Sequence, residues 1–144
     1  MPSLHLDHVN IRTAHLDQCI DFYGRLLGMT MRPPPMSTDM TGGAYACDES
    51  GHPIVHLVGT DIFVPGDGPV RGAAQPGMID HFALRCTDPE SYVARLTEAG
   101  WPFERLEVPQ IGRSLIFVRD PNAVLVELSF PLDDQIIPSP PAPA

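Results

Sequence analysis

The stretch IDHFALRC, residues 79–86, decides the fold. Its apolar and polar side chains alternate as they do along a half-buried strand, with a histidine near its start. LDHVNIRT, residues 6–13, shows the same pattern: an Asp-His pair, then an arginine four positions after the histidine. One chain that places a histidine at the same point of two similar strands contains an internal repeat, and the flanking sequence extends it.

Each of these strands precedes a helical pattern. In LDQCIDFYGRLLG, Cys19, Ile20, Tyr23, Leu26 and Leu27 fall at helical spacing, and Gly28 stands where a left-handed terminating residue belongs. In the second copy, Asp88 is read as an N-cap, Pro89 suits the first helical position, Tyr92, Val93 and Leu96 form the apolar face, and Gly100 ends the helix. Strand-like pieces follow: AYACD and PIVHLVG in the first half, FERLEV, SLIFVR and VLVELSF in the second. DPNA at residues 120–123 reads as the turn of a hairpin. RPPPMSTDMTGG, residues 32–43, is excluded from helix and central strand by three consecutive prolines. The order is strand-helix-strand-strand-strand, twice. We expect a first module over residues 1–58, a Gly- and Pro-rich connector over 59–78, a second module over 79–130 and a Pro-rich extended tail over 131–144, where Ile136 and Ile137 are candidates to dock on a partner subunit.

Composition narrows the function. At 144 residues and 43% hydrophobic, the chain suits one soluble domain or two small halves, with no run long enough for a membrane span. A net charge of −9 argues against nucleic acid, whose phosphates need clustered basic residues. All nine basic residues are arginines, so Schiff-base chemistry and a Walker lysine are excluded. Three widely spaced cysteines without a CxxC suit a reducing compartment, and no signal sequence is evident, so the expected location is cytoplasmic.

Strand parity then sorts the polar residues. His8, Asn10 and Arg12 oppose Val9 and Ile11; His81 and Arg85 oppose Phe82 and Leu84. His56 opposes Val55 and Leu57, and Glu127 opposes Val126 and Leu128. His56 and Glu127 occupy matching places in the two copies, 71 positions apart. Three imidazoles and a carboxylate on four equivalent positions are a donor set suited to a divalent metal. One strand histidine alone is more often structural; matched histidines with the right parity are harder to assign to chance. His5, His15 and His52 lack such matches and are read as surface residues.

These segments, DHVNIRT, DFYGRLLGM, DHFALR and FVRDPNAVLVEL, resemble the vicinal oxygen chelate superfamily of glyoxalases, bleomycin-resistance proteins and extradiol dioxygenases over residues 4–130. The resemblance implies an α+β fold of two paired βαβββ modules, their mixed sheet curled around a metal-binding cup, with one divalent ion (Fe, Mn, Zn, Ni or Co) held by His8, His56, His81 and Glu127. It also implies a homodimer. The leading functional expectation is an isomerase, lyase or epimerase of the glyoxalase type. Its small substrate would chelate the ion through adjacent oxygens, and an enolate or enediolate would be stabilised, with Glu127 as the catalytic proton carrier. Asn10, Arg12, Arg85 and Phe117 are the candidate substrate-binding residues. A ring-cleaving non-haem iron dioxygenase is the second reading. Such enzymes typically carry Tyr where Phe117 stands and a histidine just upstream, and residues 107–111 hold none. A metal-free drug- or metabolite-binding protein is the third.

Overall fold

Most strands form where side-chain alternation predicts them. The short edge strand Thr30–Arg32 was not foreseen. Gly43, in the stretch 32–43 read as excluded from central strand, opens an interior strand, because the three prolines that excluded the stretch lie at 33–35 and leave its end free to pair. The computed structural model describes residues 4–35, 37–60, 79 and 81–132. The chain divides into two compact units, Met1–Met78 and Ile79–Ala144. The connector beyond residue 60 and the tail beyond residue 132, including Ile136 and Ile137, lie outside the described residues. No described helix is long and apolar enough to cross a membrane.

The first unit runs β1 (Val9–Thr13), α1 (Leu16–Asp21), β2 (Thr30–Arg32), β3 (Gly43–Cys47) and β4 (Pro53–Gly59). Its sheet has the order β1-β4-β3-β2, with β1 parallel to β4 and the other pairs antiparallel. The second unit repeats the plan with β5 (His81–Arg85), α2 (Pro89–Glu98), β6 (Phe103–Val108), β7 (Arg113–Arg119) and β8 (Leu125–Pro131), in the order β5-β8-β7-β6. Both are βαβββ units with a four-stranded mixed sheet, as the repeat predicts.

Each helix covers one sheet face, and burial follows the parity read from sequence. In the first unit Cys19, Phe22, Tyr23 and Leu26 are buried with Ala44, Ala46, Val55 and Leu57. In the second, Leu96 is buried with Ile116, Val118, Val126, Leu128 and Phe130, and the Tyr92 ring meets Phe130 edge-on at 5.5 Å. The opposite face of each sheet carries the half-exposed polar residues and is called the open face below.

Two local expectations need correction. The first helix is not α-helical throughout. After Asp21 it widens into a π-helical turn over Phe22–Leu26, where the Leu27 N–H reaches back to the Phe22 carbonyl at 3.0 Å. The turn contains Gly24, where a Cβ would lie 2.8 Å from Met31 Cγ; the absent side chain lets β2 pack close. Asp88 does precede α2, but its side chain makes no capping bond. Asp88 takes φ 58°, in the left-handed region that aspartate tolerates better than most residues. Ser91 bonds the Asp88 carbonyl through its N–H at 3.3 Å and its hydroxyl at 3.1 Å. The DPNA turn forms as expected: Asp120, 3% exposed, accepts the N–H groups of Asn122 at 2.8 Å and Val124 at 2.9 Å.

Burial between α2 and the sheet pushes the Tyr92 phenol up to about 12. A phenol whose pKa is higher folded than unfolded contributes stability present below about pH 10 and lost as pH rises toward 12. Denaturant midpoints measured from pH 8 to 12 are therefore expected to fall above pH 10, and Tyr92→Phe to flatten that fall. An unchanged slope in the variant would assign the alkaline loss to other groups.

Candidate functional site

In the first unit the open-face residues gather around His56. Parallel pairing sets Asn10 of β1 beside His56, and antiparallel pairing sets Tyr45 of β3 on its other side. The His56 ring is sandwiched. Tyr45 stacks on one face at 3.8 Å between centroids and 7° between planes, and His8 stacks on the other at 3.7 Å and 12°. His56 Nε2–H donates to the Pro53 carbonyl at 3.1 Å, which leaves the lone pair on Nδ1. Burial, and secondarily the neighbouring His8, push the His56 pKa below its ordinary value, which favours the neutral ring.

His8, just ahead of β1, is oriented by its chain neighbour. Its Nδ1–H donates to Asp7 Oδ2 at 2.6 Å, and this bond holds the Asp7 carboxyl below its ordinary range. His8 Nε2 is therefore the nitrogen free to ligate. The other Asp7 oxygen lies 3.2 Å from His52 Nε2, and the Asp7 carbonyl lies 3.0 Å from the same nitrogen. Both are acceptors, so His52 Nε2 carries the proton. His52, read from sequence as a surface turn residue, is exposed but tied to the residue that orients His8. Arg12 donates to the Gly59 carbonyl at 3.3 Å, at the end of β4.

The second unit repeats the register. Ala83 pairs with Glu127 as Asn10 pairs with His56, and each histidine stands two residues earlier on its edge strand or just before it. His81 Nε2 and Glu127 Oε1 are 3.9 Å apart; the Glu127 side chain is 19% exposed and that of His81 38%. Phe117 pairs with Glu127 on β7 and turns its ring edge to His81 at 6.5 Å and 87°. Arg85 is exposed on the same face, opposite Ser129.

The donors suit a divalent ion unequally. A nitrogen and an oxygen 3.9 Å apart are within reach of one ion at bond lengths of about 2.0–2.2 Å each. His8 has the tautomer and the carboxylate support that metal-bound imidazoles carry. His56 has the right tautomer as well, but its ring is stacked. An imidazole lone pair lies in the ring plane, and two nearly parallel planes 3.7 Å apart at their centroids cannot both contain one ion. For His8 and His56 to share an ion, one ring must turn out of the stack. Within either unit, no three His, Cys, Asp or Glu among the described residues converge on a possible ion position; each unit brings together two of the expected four.

A carboxylate that orients a ligand is commonly worth about 10–100-fold in metal affinity. Asp7→Asn is expected to weaken divalent-ion binding by that factor, measured by competition with a chromophoric chelator. Unchanged affinity would show that the Asp7–His8 bond plays no part in binding.

Solved structures share this fold. A glyoxylase/bleomycin resistance protein/dioxygenase domain from Frankia sp. EAN1pec matches with a TM-score of 0.67 at 20% identity, over 93% of this chain and 96% of that one. A glyoxalase/dioxygenase from Nostoc punctiforme matches with a TM-score of 0.66 at 16% identity, covering 90% and 92%. A lactoylglutathione lyase from Agrobacterium tumefaciens matches with a TM-score of 0.64 at 18% identity, covering 90% and 96%. Such identities establish the fold and leave the reaction open. No curated protein matches the chain. The family model described as Glyoxalase/Bleomycin resistance protein/Dioxygenase superfamily matches residues 5–128, nearly all of both βαβββ units, and the chain belongs to that superfamily.

Proposed function

We propose that the protein is a divalent-metal-dependent enzyme of the glyoxalase type, an isomerase, lyase or epimerase acting on a small substrate with adjacent oxygens. The observation that carries this reading is the matched register, which gives each unit one donor pair on its open face: His8 with His56, and His81 with Glu127. His8, His81 and Glu127 would hold the ion, with His56 as fourth donor once its ring leaves the stack. The assembly would be a homodimer. A bound Fe, Mn, Zn, Ni or Co ion would supply Lewis acidity toward a pair of substrate oxygens.

The protein's own groups have separable tasks. Glu127 is the only matched carboxylate of the set and the proposed carrier of a proton to and from carbon. His81 Nε2 lies 3.9 Å from Glu127 Oε1. Phe117 walls the pair with an apolar edge and has no hydroxyl to donate, which weighs against a ring-cleaving dioxygenase. Asp7 fixes the His8 tautomer, and Asn10 and Arg12 line the same face of the first sheet.

The test is a substrate screen on protein reconstituted separately with each ion, using 2-oxoaldehyde–thiol adducts, epimerisable 2-substituted acids and catechols. Turnover of an adduct or epimerisable acid, lost in Glu127→Gln, supports the proposal; oxygen consumption with catechols alone contradicts it.

One observation favours a metal-free drug- or metabolite-binding protein as a second reading. The Tyr45–His56–His8 pile is an aromatic stack that a planar ligand could extend at an outer ring face. Absence of stoichiometric metal, together with tight binding of a planar compound, would favour it.

A further inference from the structure

In so acidic a chain, with 18 carboxylate residues against nine arginines, an arginine is expected to find a partner. Six of the eight described arginines do. Arg25 pairs with Asp21 and Arg105 with Glu90. Arg12 bonds the Gly59 carbonyl, Arg119 the Ala123 carbonyl, and Arg32 the Cys47 sulfur and the Gly51 carbonyl. Arg95 lies 4.7 Å over the Tyr92 ring.

The two exceptions are Arg85 and Arg113. Neither makes a hydrogen bond, ion pair or ring contact among the described residues, and they stand on β5 and β7, the two strands that flank β8. On the open face of the second unit, the register sets Arg85 of β5 beside Ser129 of β8, and Arg113 of β7 beside Pro131, two residues further along the same strand. Parity puts Arg85, Ser129 and Arg113 on the face that carries His81, Glu127 and Phe117. Glu127 and Glu104 share that face, yet neither comes within 4.0 Å of either guanidinium.

Two guanidiniums without a partner among the described residues, on either side of a hydroxyl-bearing strand, suit an oxyanion, because their planar N–H forks match two oxygens of one group. We infer that Arg85, Arg113 and Ser129 form an anion subsite at the end of the second sheet, which takes a carboxylate or phosphoryl group of the substrate. Along β8 the subsite lies about 7–13 Å from Glu127, two to four residues at the strand rise. The substrate class is then a small acid whose anionic group stands several bonds from its reacting oxygens. That assignment of class rests on the metal-enzyme reading above; the subsite itself does not.

The test is calorimetric and NMR titration of the metal-free full-length protein with succinate, phosphonoacetate and neutral succinamide, comparing wild type, Arg85→Gln, Arg113→Gln and the control Arg105→Gln. Arg105 lies on the other face of the sheet in a surface ion pair. Saturable binding of one or both anions is expected, weakened at least about tenfold in Arg85→Gln and in Arg113→Gln, and unchanged in Arg105→Gln. The tighter of the two anions identifies the group as carboxylate or phosphoryl. Absence of anion binding, equal binding of succinamide, or equal weakening in Arg105→Gln would overturn the inference. Metal titration of the same variants separates the two claims: the subsite stands if anion binding survives Glu127→Ala, and the metal reading stands if metal binding survives Arg85→Gln.

Discussion

Glu127→Ala is expected to weaken divalent-ion binding at least about a hundredfold, more than the loss of an outer carboxylate such as Asp7. Glu127 is the single anionic donor of the proposed set, and it sits beside His81 with most of its side chain out of water. Removing it takes away both a bond and the charge that balances the cation. His81→Ala and His8→Ala are expected to follow closely. His56→Ala is expected to cost least, because His56 is held between Tyr45 and His8 with its plane parallel to that of His8. The measurement is competition with a chelator of known affinity, at one pH, for all four variants. Equal losses for His56 and Glu127 would show that the stack opens fully on binding. No loss for Glu127 would remove it from the site.

Phe130→Ala is expected to destabilise the protein by about 3–5 kcal/mol. Phe130 is fully buried on β8, with Val126 and Leu128 on the same face, and meets Tyr92 of α2 edge-on. It therefore joins the sheet to its helix, and truncation leaves a cavity that neither a paired strand nor α2 can easily close. Urea denaturation monitored by circular dichroism reads the effect, as a lower midpoint at an unchanged slope. A loss below about 1 kcal/mol would mean that the helix repacks onto the sheet. Ser129 and Glu127, on the other face of the same strand, should keep their ligand-binding roles in whatever fraction remains folded.

Much of this was legible in the sequence because a strand's period of two is a strong signal when one face is buried. Val55 and Leu57 against His56, and Val126 and Leu128 against Glu127, gave the faces directly. The repeat supplied the pairing of His8 with His81 and of His56 with Glu127. Register between strands was not legible, and with it went the residues that register brings in. Tyr45 was not among the candidate donors read from sequence, yet β3 sets it directly against His56. His52 is 45 positions from Asp7, and nothing local foretells that a turn histidine bonds that carboxylate. Arg113 was not singled out from sequence; its interest lies in making no contact among the described residues, which only the fold reveals. The π-helical turn escaped because Phe22, Tyr23, Leu26 and Leu27 keep an ordinary helical spacing.

The central claim is that imidazoles and one carboxylate drawn from corresponding strands bind a single divalent ion. X-ray absorption spectroscopy on zinc- or cobalt-loaded protein without a histidine tag tests it most directly. The account predicts one ion per chain, with the outer-shell scattering of two or three imidazoles and with oxygen completing the inner shell. Failure to retain an ion, or an inner shell of oxygens alone, would contradict it.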